Sequence, residues 1–172
     1  MKNKIPHKNN KTFTNVDPIT VEVIRNSFAS IAKQMNQNLA RSAYTPIIYE
    51  MKDCSVAIFD RNVNLVGQSS GLPVFLGTLG PAVKAVVKSY KISELKEGDI
   101  YIINDSYIVG SHLNDMTVLS PIFYKNKLIG FGATKAHWMD IGAKSPSSAT
   151  DSTEIYQEGY RLGPTRAFKE GK

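Results

Sequence analysis

The chain has 172 residues, room for one ordinary domain or a little more. At 42% hydrophobic, 21% charged and 9% aromatic it has the composition of a globular protein large enough to bury a core without a covalent or metal staple. Its single cysteine, Cys54, excludes an internal disulfide and a Cys-based zinc finger, and no stretch approaches the ~18 apolar residues of a membrane span.

In chain order, residues 1–15 carry Lys2, Lys4, Lys8 and Lys11, no acid and no apolar period, which reads as a disordered basic tail. No basic-then-apolar-then-small pattern opens the chain, so a cytoplasmic protein is expected. The second basic end, 161–172, holds Arg161, Arg166, Lys169 and Lys172 against Glu170. Between the two ends the body is at −1, so the net +6 is no argument for a nucleic-acid partner. The body also has no RNP-type aromatic strand or zinc knuckle.

Asp17-Pro18 predicts a capped helix start. Val21, Ile24, Phe28, Ile31, Met35 and Leu39 then step by three or four, predicting a core-packing helix that ends near Ala43, before Pro46. Cys54–Phe59 reads as a strand, with Cys54 a buried small hydrophobe. Asp60–Asn64 has turn chemistry, and Leu65–Gln68 returns. Gly71, Pro73 and Gly77 mark an irregular loop. Pro81 is expected to open a second helix with Leu79, Val83, Val86, Val87 and Tyr90 on one face. Ile100–Ile103 is a strand. Thr117–Phe123 and Leu128–Thr134 form a hairpin about Tyr124–Lys127, and residues 142–153 read as loop. Hairpins beside two amphipathic helices give an α+β class with a mostly antiparallel sheet.

Two histidines outside the tail share one pattern, His112-Leu113-Asn114-Asp115 and His137-Trp138-Met139-Asp140. If the hairpin turn is centred on Lys125 and Asn126, position 115 faces 136; shifted by one residue, it faces 138. Either register leaves His137 within one position of Asp115, and opposed residues have Cβ atoms ~4.5–5.5 Å apart. Two imidazoles and a carboxylate converging on a strand-end loop fit a mononuclear site for Zn, Fe, Mn, Co or Ni. The alternative is a pair of ordinary surface or core histidines and a turn-capping aspartate. Asp140 is a candidate fourth ligand or an orienting partner. Glu50 and Asp53 precede the first hairpin as candidates for a general base or further ligand, with capping or pairing to Lys52 as the plain alternative. Trp138 could wall a pocket or simply pack. No phosphate-binding G-x-x-x-x-G-K-[ST] loop occurs.

Four ordered segments resemble the hydantoinase B/oxoprolinase family: Asp17–Asn26, Asn104–Asp115, Ala136–Gly142 and Thr153–Gly159. The resemblance covers about residues 16–172. It implies the N-terminal portion of a larger, truncated or split fold in a heteromeric complex. The family includes N-methylhydantoinase B subunits, 5-oxoprolinases, and acetone and acetophenone carboxylase large subunits. The resemblance implies opening of cyclic amides, with ATP used on a hydantoinase A-like partner. A carboxylase fragment and a non-catalytic, partner-binding remnant are the alternatives. It also implies a divalent metal of Mn, Zn or Fe type on His112, Asp115 and His137, with a carboxylate near Glu50 as a further ligand. The family usually has proline at Ser106 and Asn114, Gly-Gly at Val109-Gly110, and often histidine at Phe75.

Overall fold

The computed structural model describes residues 16–147 and 150–172. The predicted basic tail therefore lies outside the described residues, as do Ser148 and Ala149 of the predicted 142–153 loop.

Helix α1 (Pro18–Ser42) starts as its sequence dictates: the Asp17 carboxylate accepts from the Thr20 N–H at 3.1 Å and Pro18 fills the first turn. A single-turn α2 (Pro46–Tyr49) follows. Strands β1 (Cys54–Asp60) and β2 (Leu65–Gln68) form the first hairpin, and Asp60 ties its turn by accepting from the Asn62 and Asn64 N–H groups at 2.8 Å each. Then come α3 (Pro73–Ser89), β3 (Ile100–Ile103), a single-turn α4 (Ser106–Val109), β4 (Asp115–Tyr124), β5 (Lys127–His137) and β6 (Thr165–Phe168). The six strands make one antiparallel sheet in the order β2-β1-β5-β4-β3-β6. This is the α+β class expected from the hairpins and helices.

Strand periodicity divides the sheet. Ala57, Phe59, Tyr101, Leu119, Phe131 and Ala133 pack against Leu79, Val83 and Val86 of α3 and form the main core. On the other face Cys54 and Ala136 meet Ile48 and Leu39 beneath α1 and α2. Cys54 is fully buried, as expected.

Three expectations need correction. Helix α3 begins at Pro73, not Pro81. Pro81 sits inside it and has no N–H for the Gly77 carbonyl, a defect worth ~3 kcal/mol. The buried face Phe75, Leu79, Ala82, Val83 and Val86 runs straight through the proline, and each large side chain gains ~1.5–3 kcal/mol on burial, so packing wins. The stripe on α1 is only partly a core face. Phe28 marks where the helix meets the sheet, so close to Gly67 that a Cβ there would lie 3.0 Å from Phe28 atoms. Val21 and Ile24, before that point, are about half exposed, and Ile31 on the flank is 45% exposed. Finally, the basic C-terminal stretch contains a strand, β6, absent from the sequence reading. It is held by Arg166, whose guanidinium stacks on Tyr90 and Tyr101 and lies 3.7 Å from the buried Asp99.

Candidate functional site

The β4–β5 hairpin sets the site. Lys125 and Asn126 both have positive φ (48° and 62°), the two-residue turn whose twist suits a hairpin. Next to the turn the register is Tyr124↔Lys127. A bulge at Ile122/Phe123 then shifts it by one residue, and at the far end Asp115 stands directly opposite His137. The bulge thus takes the register midway between the two derived from the sequence. Asn114 closes this end: its amide donates to the Trp138 carbonyl at 2.8 Å, and its carbonyl accepts from the Trp138 N–H at 2.8 Å.

His137 Nδ1 and Asp115 Oδ1 are 2.9 Å apart, and both residues are buried. The second Asp115 oxygen accepts from the His112 N–H at 3.1 Å, which fixes the loop that carries His112. Asp53 joins from the start of β1, where its carbonyl accepts from the His137 N–H at 3.1 Å. Asp53, His112, Asp115 and His137 line one cleft of about 690 Å³ with Ser106, Gly110 and Ser111, walled by Leu72, Val74 and Phe75 at the start of α3. Phe75 therefore faces the cleft from a helix rather than a loop.

Two other candidates lie elsewhere. Glu50 is exposed after α2, and Asp140 is exposed and accepts from the Gly142 N–H at 2.8 Å; neither lines the cleft. Trp138 is 41% exposed and is not a wall of it.

The electrostatics follow from burial. Desolvation pushes Asp53 above its ordinary range; the Asp115 charge adds to this, and the imidazoles of His137 and His112 oppose it. The hydrogen bond that His137 donates to Asp115 raises His137, as do the Asp115 and Asp53 charges, against the effect of burial. One turn of the β pleat below, Lys135 is fully buried, donating to Thr78 Oγ1 at 2.7 Å and Ser111 Oγ at 2.8 Å. Burial lowers it to about 8, with Asp115 opposing. Lys135 and Ser111 are absent from the sequence reading. The available signal was alternation: Lys135 precedes His137 by two, on the same face of an otherwise small and apolar strand segment.

Among the described residues no group of three or more His, Cys, Asp and Glu side chains forms a preformed ion cage. Two observations nonetheless fit a divalent cation. Asp53 Oδ1 is buried in the cleft wall without a hydrogen-bond partner among the described residues. The 2.9 Å between His137 Nδ1 and Asp115 Oδ1 is also the spacing of two ligands at right angles, roughly 3 Å for metal–ligand bonds of ~2.1 Å. The residue types, imidazole nitrogen with carboxylate oxygen, suit the same group of metals.

The family model described as hydantoinase B/oxoprolinase matches residues 17–172. A protein of Methanocaldococcus jannaschii is 41% identical over 160 residues, covering 91% of this chain and 28% of that one. The crystal structure of ATP-dependent caprolactamase from Pseudomonas jessenii superposes with a TM-score of 0.80 at 32% identity, over 92% of this chain and 28% of that one. A nucleotide-free acetone carboxylase shares the fold, with a TM-score of 0.83 at 23% identity, over 91% of this chain and 21% of that one. The chain thus spans between about a fifth and little more than a quarter of the length of these proteins.

Proposed function

The chain belongs to the hydantoinase B/oxoprolinase family, and from that premise we propose that it is part of a metal-dependent, ATP-coupled hydrolase opening cyclic amides of the hydantoin or 5-oxoproline type, together with a hydantoinase A-like ATP-using subunit. The observation that carries the reading is the cleft that Asp53, whose Oδ1 has no partner among the described residues, lines together with the Asp115–His137 pair and His112. The name of the Pseudomonas jessenii relative, an ATP-dependent caprolactamase, supports a lactam as the substrate class.

In this reading His112, Asp115 and His137 hold the cation. When bound, it supplies Lewis acidity for the amide carbonyl or a more acidic water. Asp53 would add a further carboxylate beside the cation, strengthening its binding, and would take the proton. Its desolvation raises its basicity towards the range a general base needs; the residue lines the cleft, and its buried Oδ1 has no hydrogen-bond partner among the described residues. Leu72, Val74 and Phe75 wall the cleft with apolar surface and keep bulk water from the reacting amide. In this reading the ATP step belongs to the hydantoinase A-like partner, as the family resemblance implies.

The test is metal analysis of the full chain after exposure to Mn²⁺, Zn²⁺ or Fe²⁺. One equivalent is expected, lost in His112→Ala and His137→Ala. The complex with the ATP-using subunit should then open 5-oxoproline or ε-caprolactam only with ATP. A parent chain that retains no metal, or variants that retain it fully, would overturn the metal reading. A metal-loaded complex without ring opening would overturn the hydrolase reading.

A further inference from the structure

Lys135 is an ammonium with three N–H donors and no acceptor. It is fully buried, and among the described residues no carboxylate lies within ion-pair distance of it. Its protons go to two hydroxyl oxygens, Thr78 Oγ1 at 2.7 Å and Ser111 Oγ at 2.8 Å. Each hydroxyl, having accepted from an ammonium, must direct its own hydrogen elsewhere. Thr78 has an outlet: it donates to the Phe75 carbonyl at 2.9 Å. Ser111 has no acceptor among the described residues, and it lines the cleft beside His112, Asp115 and His137. Lys135 therefore does two things to Ser111. It occupies one of the two acceptor lone pairs and turns the O–H away from itself as a donor, and it polarises that O–H, because a hydroxyl bonded to a cation makes a stronger hydrogen bond.

A preset donor in a half-apolar cleft recognises an oxygen that carries or gains negative charge. Resting on the cyclic-amide reading above, we infer that Ser111, polarised by Lys135, donates a hydrogen bond to the carbonyl oxygen of the bound amide. Ser111 is the binding residue and Lys135 its positioning residue. The neighbouring Ser106 lines the same cleft but has no such cation behind it.

The probe is ε-caprolactam with a ¹³C-labelled carbonyl, titrated into the full 172-residue chain with and without Mn²⁺. Binding is read by amide NMR shifts and the bound carbonyl by isotope-edited infrared spectroscopy. The parent should lower the carbonyl stretch on binding. At either metal condition Ser111→Ala should bind about tenfold more weakly and leave the bound stretch above that of the parent, whereas Ser111→Thr restores both. Lys135→Met should lose most of the shift and Lys135→Arg regain part of it. A purely structural role for these residues would not move the carbonyl frequency. If Lys135→Met does not fold, the Ser111 pair decides alone, because Lys135 keeps its Thr78 bond there. Equal affinity and an unchanged stretch in Ser111→Ala would overturn the inference and leave the amide reading standing. A parent chain that binds no lactam would overturn both.

Discussion

Asp99 is wholly buried and Asp53 partly buried, and the surroundings of these two aspartates are opposite. Asp99, at the start of β3, is fully buried and fully engaged. It accepts from the Lys96 N–H at 3.0 Å, the Tyr101 hydroxyl at 2.8 Å and the Glu170 N–H at 3.0 Å, with Arg166 at 3.7 Å. Burial pushes its carboxyl up, but these hydrogen bonds and the Arg166 charge outweigh that and hold it below the ordinary range. Burial, and then the hydrogen bond to Asp99 and its charge, drive the Tyr101 phenol up to about 12, with Arg166 opposing. Asp53 is only partly buried, yet its Oδ1 has no partner among the described residues and its carboxyl is held above the ordinary range. A carboxylate that the fold satisfies completely is spent on holding the fold together. One left short of donors is available to something that enters.

The widest separation between the two regions should come from Asp99→Ala. It strands Tyr101, two backbone N–H groups and the Arg166 charge in a dry site, and should cost about 3–5 kcal/mol in denaturant unfolding. Metal uptake by the folded fraction should not change. A loss under ~1 kcal/mol would break the comparison, since Asp99 would then not be the clasp that joins β3, β6 and the C-terminal turn.

Lys135 gives the next largest effect. Its folded-state pKa of about 8 lies below its ordinary 10.5, so between those values the unfolded chain binds more protons. Stability must then rise as pH climbs from 8 towards 10.5, by on the order of 3 kcal/mol in total, and the full penalty is present below 8. Urea unfolding of metal-free protein across that window checks it. Lys135→Met should flatten the rise, and a rise of the same size in the variant would remove Lys135 as its source.

How far such contrasts can be read from a sequence depends on their range. The Asp17 cap, the β4–β5 turn and the identity of Cys54 as a core residue are local and legible, because each depends on a few adjacent residues. The pairing of Asp115 with His137 was legible to within one residue, and the bulge at Ile122/Phe123 supplied the remainder. Burial was the less legible part. Alternation alone could not tell that α3 would run through Pro81, because the gain came from β-sheet residues far along the chain. Nor could it tell that α1 would leave Val21 and Ile24 half exposed. Lys135 was hidden for the same reason: its partners Thr78 and Ser111 are 57 and 24 residues away.

Asp53 offers a smaller effect of opposite sign to that of Asp99. Because its folded pKa is raised, the ionised form is penalised in the fold, and its contribution to stability falls as pH rises from the ordinary carboxylate value through the raised one. Asp53→Asn should therefore be neutral or stabilising at neutral pH, by about 1 kcal/mol or less, while weakening Mn²⁺ binding by tenfold or more. Stability and binding measured on the same preparation separate the two effects. A variant that loses several kcal/mol would place Asp53 with Asp99, as a structural carboxylate.

The smallest effects should come from the two acids that share the local sequence pattern without sharing the cleft. Glu50 is exposed, and Asp140 spends an oxygen on the Gly142 N–H at a surface turn. Both sit only three residues from a cleft residue, Asp53 and His137 respectively, so proximity in sequence predicts a role for each. Their exposure to solvent argues for the smaller effect. An exposed carboxylate is hydrated in the folded and unfolded states alike, and its charge is screened from the cleft. Glu50→Gln and Asp140→Asn should each change stability by less than ~0.5 kcal/mol and Mn²⁺ affinity by less than about twofold. Calorimetric titration alongside Asp53→Asn makes the contrast direct. A tenfold loss of affinity in Asp140→Asn would show that the 138–142 turn closes over the cleft when the ion is bound, and that the supply of free carboxylate oxygen extends beyond Asp53.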